Sequence, residues 1–368
     1  MSVLAGNFSG SKSSLRSTLA ILAALGACAA WLLATEARAA ETEWIGGSNN
    51  WKNASSWNPS GVPSTTDLAI FDDASTAFAG PNGSTVQVAI GAILLEGDRT
   101  TTQTIYPFGS TTGTGLTLNS YSYDFGDGPV NLLLGNTSAA TLAIGGRSGA
   151  DMAVILGNSG VIYSSGSQIS IGSAISDNGY GYTITETGAG LVNLGSLAGN
   201  STYSGGFILE GGTLESYGST TVTNGVLVSG PFGIGTLTLS GGTLKGQSAT
   251  SNRLYANAVA LNGSVALGAV GDGGTLTFSN AAGNTTTLVQ DSTLTVNTAN
   301  VPLATGDLRG LRPDQGRDWQ PHAGGREQRH LHGADHGGGG RAVCGRLSLL
   351  QPGGGPERRD LWRGGPGQ

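Results

Sequence analysis

The sequence is short of charge, of cysteine and of long apolar runs. Charged residues make up 11% of its 368 residues, with two Cys and two Met. Between Glu41 and Gly306 the basic residues are Lys52, Arg99, Arg147, Lys245 and Arg253. A body this poor in Lys and Arg offers phosphates no electrostatic footprint, which excludes nucleic-acid binding as its role. Cys28 and Cys344 lie outside that body, so it cannot use a disulfide. The one sustained apolar run, Leu19 to Ala34, is shorter than the ~20 residues of a spanning helix, and no internal transmembrane helix is expected.

Catalytic constellations are missing as well. All four His residues follow Gly306, so the body has no His for a triad. It contains no Gly-x-Ser-x-Gly elbow and no phosphate loop. A polysaccharide lyase on a β-helix, the rival class, needs converging Asp with a Lys or Arg as base or charge stabiliser. The scattered basic residues make that hard to assemble. The expectation is a non-enzymatic protein without a cofactor.

Glycine is abundant, at 64 residues. Such a content alone fits disorder, but Val, Ile and Leu recur at regular intervals, which disordered segments lack. From Gly113 the chain is written in short strands of period two, such as GLTLNS from Gly115, TLAIGG from Thr141, QISIGSAIS from Gln168, GTLTLSGGTL from Gly235, GTLTFSN from Gly274 and STLTVNT from Ser292. Alternation puts branched residues on one face and hydroxyls on the other. The tetrad Gly-Gly-Thr-Leu occurs at Gly211–Gly212–Thr213–Leu214, at Gly241–Gly242–Thr243–Leu244 and again at Gly273 to Leu276. Near-constant self-similarity predicts an all-β, right-handed parallel β-helix, in which each repeat returns the chain one layer up, Gly permits the turn and Leu fills the interior stack.

The first residues read as a targeting segment. Lys12 and Arg16 precede the apolar run, and Ala37-Arg38-Ala39 supplies the small-x-small pattern of signal cleavage. The reading divides the chain into a signal peptide (1–39), a Trp-rich module (40–80), a solenoid (81–306) and an irregular Gly/Arg-rich tail (307–368). Trp44, Trp51 and Trp57 suit either a local core capping the first coil or stacking on sugar rings. Asp72-Asp73 and Asp124 to Gly128 offer oxygen ligands to calcium, but neither has an EF-hand loop or a calcium nonapeptide. They read as solvated turns, and no metal site is assigned. Glu210 and Glu215 are expected to point outward.

The stretch LAGNSTYSGGFILEGGTLESYG, from Leu197, resembles the repeat of autotransporter-associated β-strand repeat proteins. Asn200, Thr202, Tyr203, Ser204, Gly205, Gly206, Gly211, Gly212, Thr213 and Leu214 carry the match. The segment from Gly230 to Val265 is similar to the companion repeat, and Trp44, Gly46, Gly47, Trp51, Trp57, Asn58, Gly61, Pro63, Asp67 and Phe71 resemble the Trp-rich opening module of such exported proteins. The resemblance implies a passenger domain on the outer surface of a Gram-negative cell or beyond it. It would be handled by the export machinery of the envelope and would meet glycans or other surface proteins. The family's C-terminal barrel needs eight or more strands, and nothing after Gly306 reads so.

After Gly306 the texture becomes basic, with His322, His330, His332 and His336. A metal-binding tract is one reading. The other is a reading frame displaced by one base. Advanced by one base, His330 to Gly337 can encode Thr-Tyr-Thr-Gly-Pro-Thr-Thr-Val, a phrase of the same repeat, so the tail reads as a frameshifted continuation.

Overall fold

The computed structural model describes residues 39–46, 50–72, 87–106, 115–145, 152–195, 200–279, 282–290 and 292–297, with the backbone of 311–313, 327–333 and 346–351. Ala37 lies outside the described residues, while Ala39 sits just before the first strand. Ala40–Gln368 forms one compact unit.

The period-two segments become short strands that pair in parallel with the strand one coil above and below, giving a β-solenoid of about eight turns. The chain visits three faces in order. The first face is a continuous sheet running from Glu41–Trp44 through Leu68–Phe71, Ala92–Leu95, Pro129–Asn136, Gly160–Ser164, Ile184–Thr187, Phe207–Leu209, Leu237–Leu239 and Val259–Leu261 to Thr286–Leu288. The second face stacks Gln103–Ile105, Thr141–Ile144, Gln168–Ile171, Leu191–Leu194, Thr213–Ser216, Thr243–Gly246, Val265–Leu267 and Ser292–Val296. The third is interrupted, with Gln87–Ile90, Gly115–Leu118, Ala153–Leu156 and Ile175–Ser176 low in the stack and Arg253–Tyr255 with Leu276–Phe278 higher up.

Because pairing is parallel and in register, like residues stack into columns. On the second face Leu142, Ile169, Val192, Leu214, Leu244, Leu267 and Val296 succeed one another rung by rung. All are buried, so each aliphatic side chain is desolvated by its neighbours above and below. On the first face the column runs Ala69, Ile93, Leu134, Ile162, Glu186, Leu209, Leu239, Leu261 and Leu288. A carboxylate therefore stands in the middle of an aliphatic stack. Higher on the third side, Phe232, Tyr255 and Phe278 form an aromatic file with successive centroids 4.9 and 5.6 Å apart.

The Gly-Gly-Thr-Leu tetrads need one correction. The first two stack as expected, with Leu214 on Leu244 in register and Gly212 and Gly242 at φ +63° and +69°, in the left-handed region. The third does not join them: Leu276 pairs with Arg253 on the third face, and Val265–Leu267 takes the next place above Leu244. The tetrad dictates a turn followed by an inward Leu, and those suit more than one corner of the coil.

Part of the tail is also more regular than the sequence suggests. Arg346–Gln351 pairs in parallel with Ser292–Val296, and Glu327–Gly333 runs antiparallel beside it. Among the described residues no helix is long and apolar enough to cross a membrane.

Candidate functional site

Trp44, Trp51 and Trp57 are 0%, 1% and 1% exposed, which overturns the sugar-stacking reading of these rings. Trp57 lies edge-on to Trp44 and Trp51, each at 4.8 Å, and Phe71 sits 5.9 Å from Trp57. The Trp57 indole N–H donates to the Trp51 carbonyl at 2.8 Å. Glu41–Trp44 pairs with Leu68–Phe71 and, antiparallel, with Trp57–Asn58, so the aromatic cluster closes the first coil from inside. Buried aromatic faces are unavailable to a ligand. These residues are core.

Two carboxylates distinguish the middle of the stack. Glu186 is 1% exposed, lies between Ile162 and Leu209, and has no hydrogen-bond partner on either oxygen among the described residues. Burial alone pushes its carboxyl well above the ordinary value, so the buried position favours the neutral form. Glu215, expected to point outward, does so but is only 8% exposed. It belongs to an outer ladder of Ser170, Asn193, Glu215 and Lys245. There the Asn193 amide donates to one oxygen, and the Lys245 ammonium lies 2.9 Å from the other.

Asp177, which the sequence reading passed over, organises a corner through its own side chain. Its loop occupies residues 177–183 between Ile175–Ser176 and Ile184–Thr187, whereas the corners at 157–159 and 256–258 are tighter. Asn178, Gly179 and Gly181 take φ values of +52°, +82° and +78°, a run that only Gly and Asn adopt cheaply. The Asp177 carboxylate, 1% exposed, holds this backbone. One oxygen accepts from the Gly179 N–H at 3.0 Å. The other accepts from Gly181 and Tyr182 N–H at 2.9 and 3.0 Å, and from the Ser204 N–H and hydroxyl, both at 2.9 Å.

The repeat phrase thereby gains a structural meaning. Ser204 ties its own rung to Asp177 in the rung before, and Tyr203 is buried with its hydroxyl donating to the Pro231 carbonyl at 3.4 Å. Gly205 and Gly206 pass close over neighbouring backbone: a Cβ on Gly205 would stand 2.3 Å from the Gly181 carbonyl. Asn200 and Thr202 are exposed on the same corner. Gly211, Gly212 and Thr213, like Gly241, Gly242 and Thr243, form the next corner and lead Leu214 and Leu244 inward.

Burial opposes ionisation of Asp177, but the hydrogen bonds from Ser204, Gly179 and Tyr182 outweigh it and hold the carboxyl below its usual 3.8. A depressed folded-state value adds stability that is present above the unfolded value and is lost as pH falls through the folded one. Asp177→Asn is expected to cost about 2 kcal/mol at neutral pH, because the new amide would face donors where an oxygen accepted. Chemical denaturation of variant and parent checks this, and the difference should shrink below about pH 3.9.

At the base of the first face, burial pushes the Glu43 carboxyl up, reinforced by its hydrogen bond and proximity to Asp72. Glu96 is raised by burial, then by Asp72, Glu41 and Glu43. Glu41, Glu43, Asp72 and Glu96 thus form one acidic patch, while Asp124 closes its own turn by accepting from Gly126 and Gly128 N–H at 2.7 and 3.0 Å. Among the described residues no group of three His, Cys, Asp or Glu side chains is arranged to hold a metal. The His tract of the tail lies outside the residues whose side chains are described.

The fold defines the chain as a parallel β-solenoid. Comparison with protein-family models, with curated proteins and with solved structures finds no match.

Proposed function

We propose that this is a non-enzymatic, exported and surface-displayed solenoid of the autotransporter-passenger kind, acting in adhesion or as surface structure. The observation that supports it most is the division of labour across each strand. Leu, Ile and Val columns hold the stack from inside, while Thr185, Thr238 and Thr287 repeat at matching outward positions. A rigid face on which a hydroxyl returns at every second rung, with Ile208 and Ala260 between, presents many weak contacts together, which is what multivalent attachment requires.

The reading includes cleavage after Ala39, the envelope export machinery as partner, and glycans or surface proteins as what the faces meet. It also includes the frameshifted tail. Expression of the full gene in a Gram-negative host tests it. A mature chain beginning at Ala40 and cut by protease added to intact cells is the expected result. Full-length protein retained inside the cell with Leu19 to Ala34 attached would contradict it. Sequencing the genomic DNA beyond Gly306 tests the tail: an open alternative frame is expected, and early stops would contradict it.

A further inference from the structure

Tyr180 is 73% exposed, and it stands on the loop whose backbone the Asp177 carboxylate holds. Its ring lies 5.7 Å from that of Tyr182 at an interplanar angle of 22°, a stacked pair. Tyr182 packs against the core and so anchors the pair to the stack. The Tyr180 N–H donates to the Asp177 carbonyl at 3.0 Å, and the Asp177 carboxylate holds the backbone on both sides of it. The ring is therefore displayed, not left loose. Turning the corner does not require it, since residues 157–159 turn the preceding coil without any aromatic residue.

The surroundings specify the chemistry of a partner. Exposed groups beside the ring are Asn178, Gly179 and Gly181, with Asn158 and Thr202 on the corners below and above. All are uncharged, and among the described residues of this loop the one ionised group, Asp177, is buried with both oxygens occupied. A Cβ placed on Gly179 or Gly181 would meet nothing within 4 Å beyond its chain neighbours, so the backbone on both sides of Tyr180 borders open space, while one face of the ring is stacked on Tyr182. An exposed, pre-organised aromatic face with amide and hydroxyl neighbours suits the C–H face and hydroxyls of a sugar ring. Among the described residues of this corner, an anionic or cationic polymer would find no exposed counter-charge.

We infer that the Asp177 loop is a binding site for neutral pyranose polysaccharides, with Tyr180 as the stacking platform and the corner ridge from Asn158 to Thr202 as the track of the chain. The site gives the display role a ligand class. It is tested on purified protein, so its failure is distinct from failure of export.

The test is affinity electrophoresis of the full mature chain through gels containing neutral β-glucan, mannan or galactan, with heparin as the charged control. Calorimetric titration follows with the hexasaccharide of whichever polymer retards the protein. Retardation by at least one neutral polymer and not by heparin is expected. Tyr180→Ala should weaken binding about tenfold and Tyr180→Phe by less than about threefold, because stacking and not the hydroxyl carries the contact. Circular dichroism of both variants should match the parent. Absence of retardation by all three neutral polymers, preference for heparin, or equal binding by folded Tyr180→Ala would overturn the site.

Discussion

Glu186→Leu is expected to stabilise the solenoid by about 3 kcal/mol at neutral pH, the reverse of the usual effect of a core substitution. The parent side chain stands between Ile162 and Leu209 with neither oxygen hydrogen-bonded among the described residues, so folding strips water from a polar group without replacement. Leucine continues the column formed by Leu209, Leu239 and Leu261. The gain should depend on pH in a defined direction. The folded-state value is raised, so the folded chain binds the proton more tightly than the unfolded chain. Stability of the parent therefore falls as pH rises above about 4.3, the unfolded value, while the Leu variant lacks this loss. Urea midpoints from pH 4 to 8 measure it, and a difference that shrinks with rising pH would contradict the assignment.

Trp57→Ala is expected to cost about 3–5 kcal/mol, because it opens a large cavity among Trp44, Trp51 and Phe71 and removes a buried hydrogen bond. A solenoid gathers stability rung by rung, so the damage should be local. Amide exchange should accelerate in Glu41–Trp44 and Leu68–Phe71 and stay unchanged in Phe207–Leu209 and Val265–Leu267. A variant of parental stability that loses sugar binding would instead mean that the ring is a surface platform.

Much of the fold is legible in the sequence because period two leaves an inward aliphatic series little choice. The same alternation that turns Ile184 inward turns Glu186 inward too, so the buried acid was visible in principle; a lone Glu among Thr residues simply looks like surface. Less legible is which of three faces a strand joins. Leu276 follows the same tetrad as Leu214 and Leu244, yet it lies on another face, because register depends on the length of every preceding corner. The three Trp illustrate a second limit: close spacing announces a cluster, and only packing tells whether its ring faces are covered. Asp177 gave no signal of its own. Its role arises from Ser204, twenty-seven positions later, which the coil returns to its side.

Spin labels at Thr185 and Thr287 test the stack most directly, in a background lacking Cys28 and Cys344. The register Thr185, Ile208, Thr238, Ala260, Thr287 places the two outward positions four rungs apart. At about 4.8 Å per rung, their backbones should be about 19 Å apart, and the pulsed dipolar distance should be narrow and within a label length of that value. A broad distribution, or one centred beyond about 35 Å, would contradict a parallel solenoid.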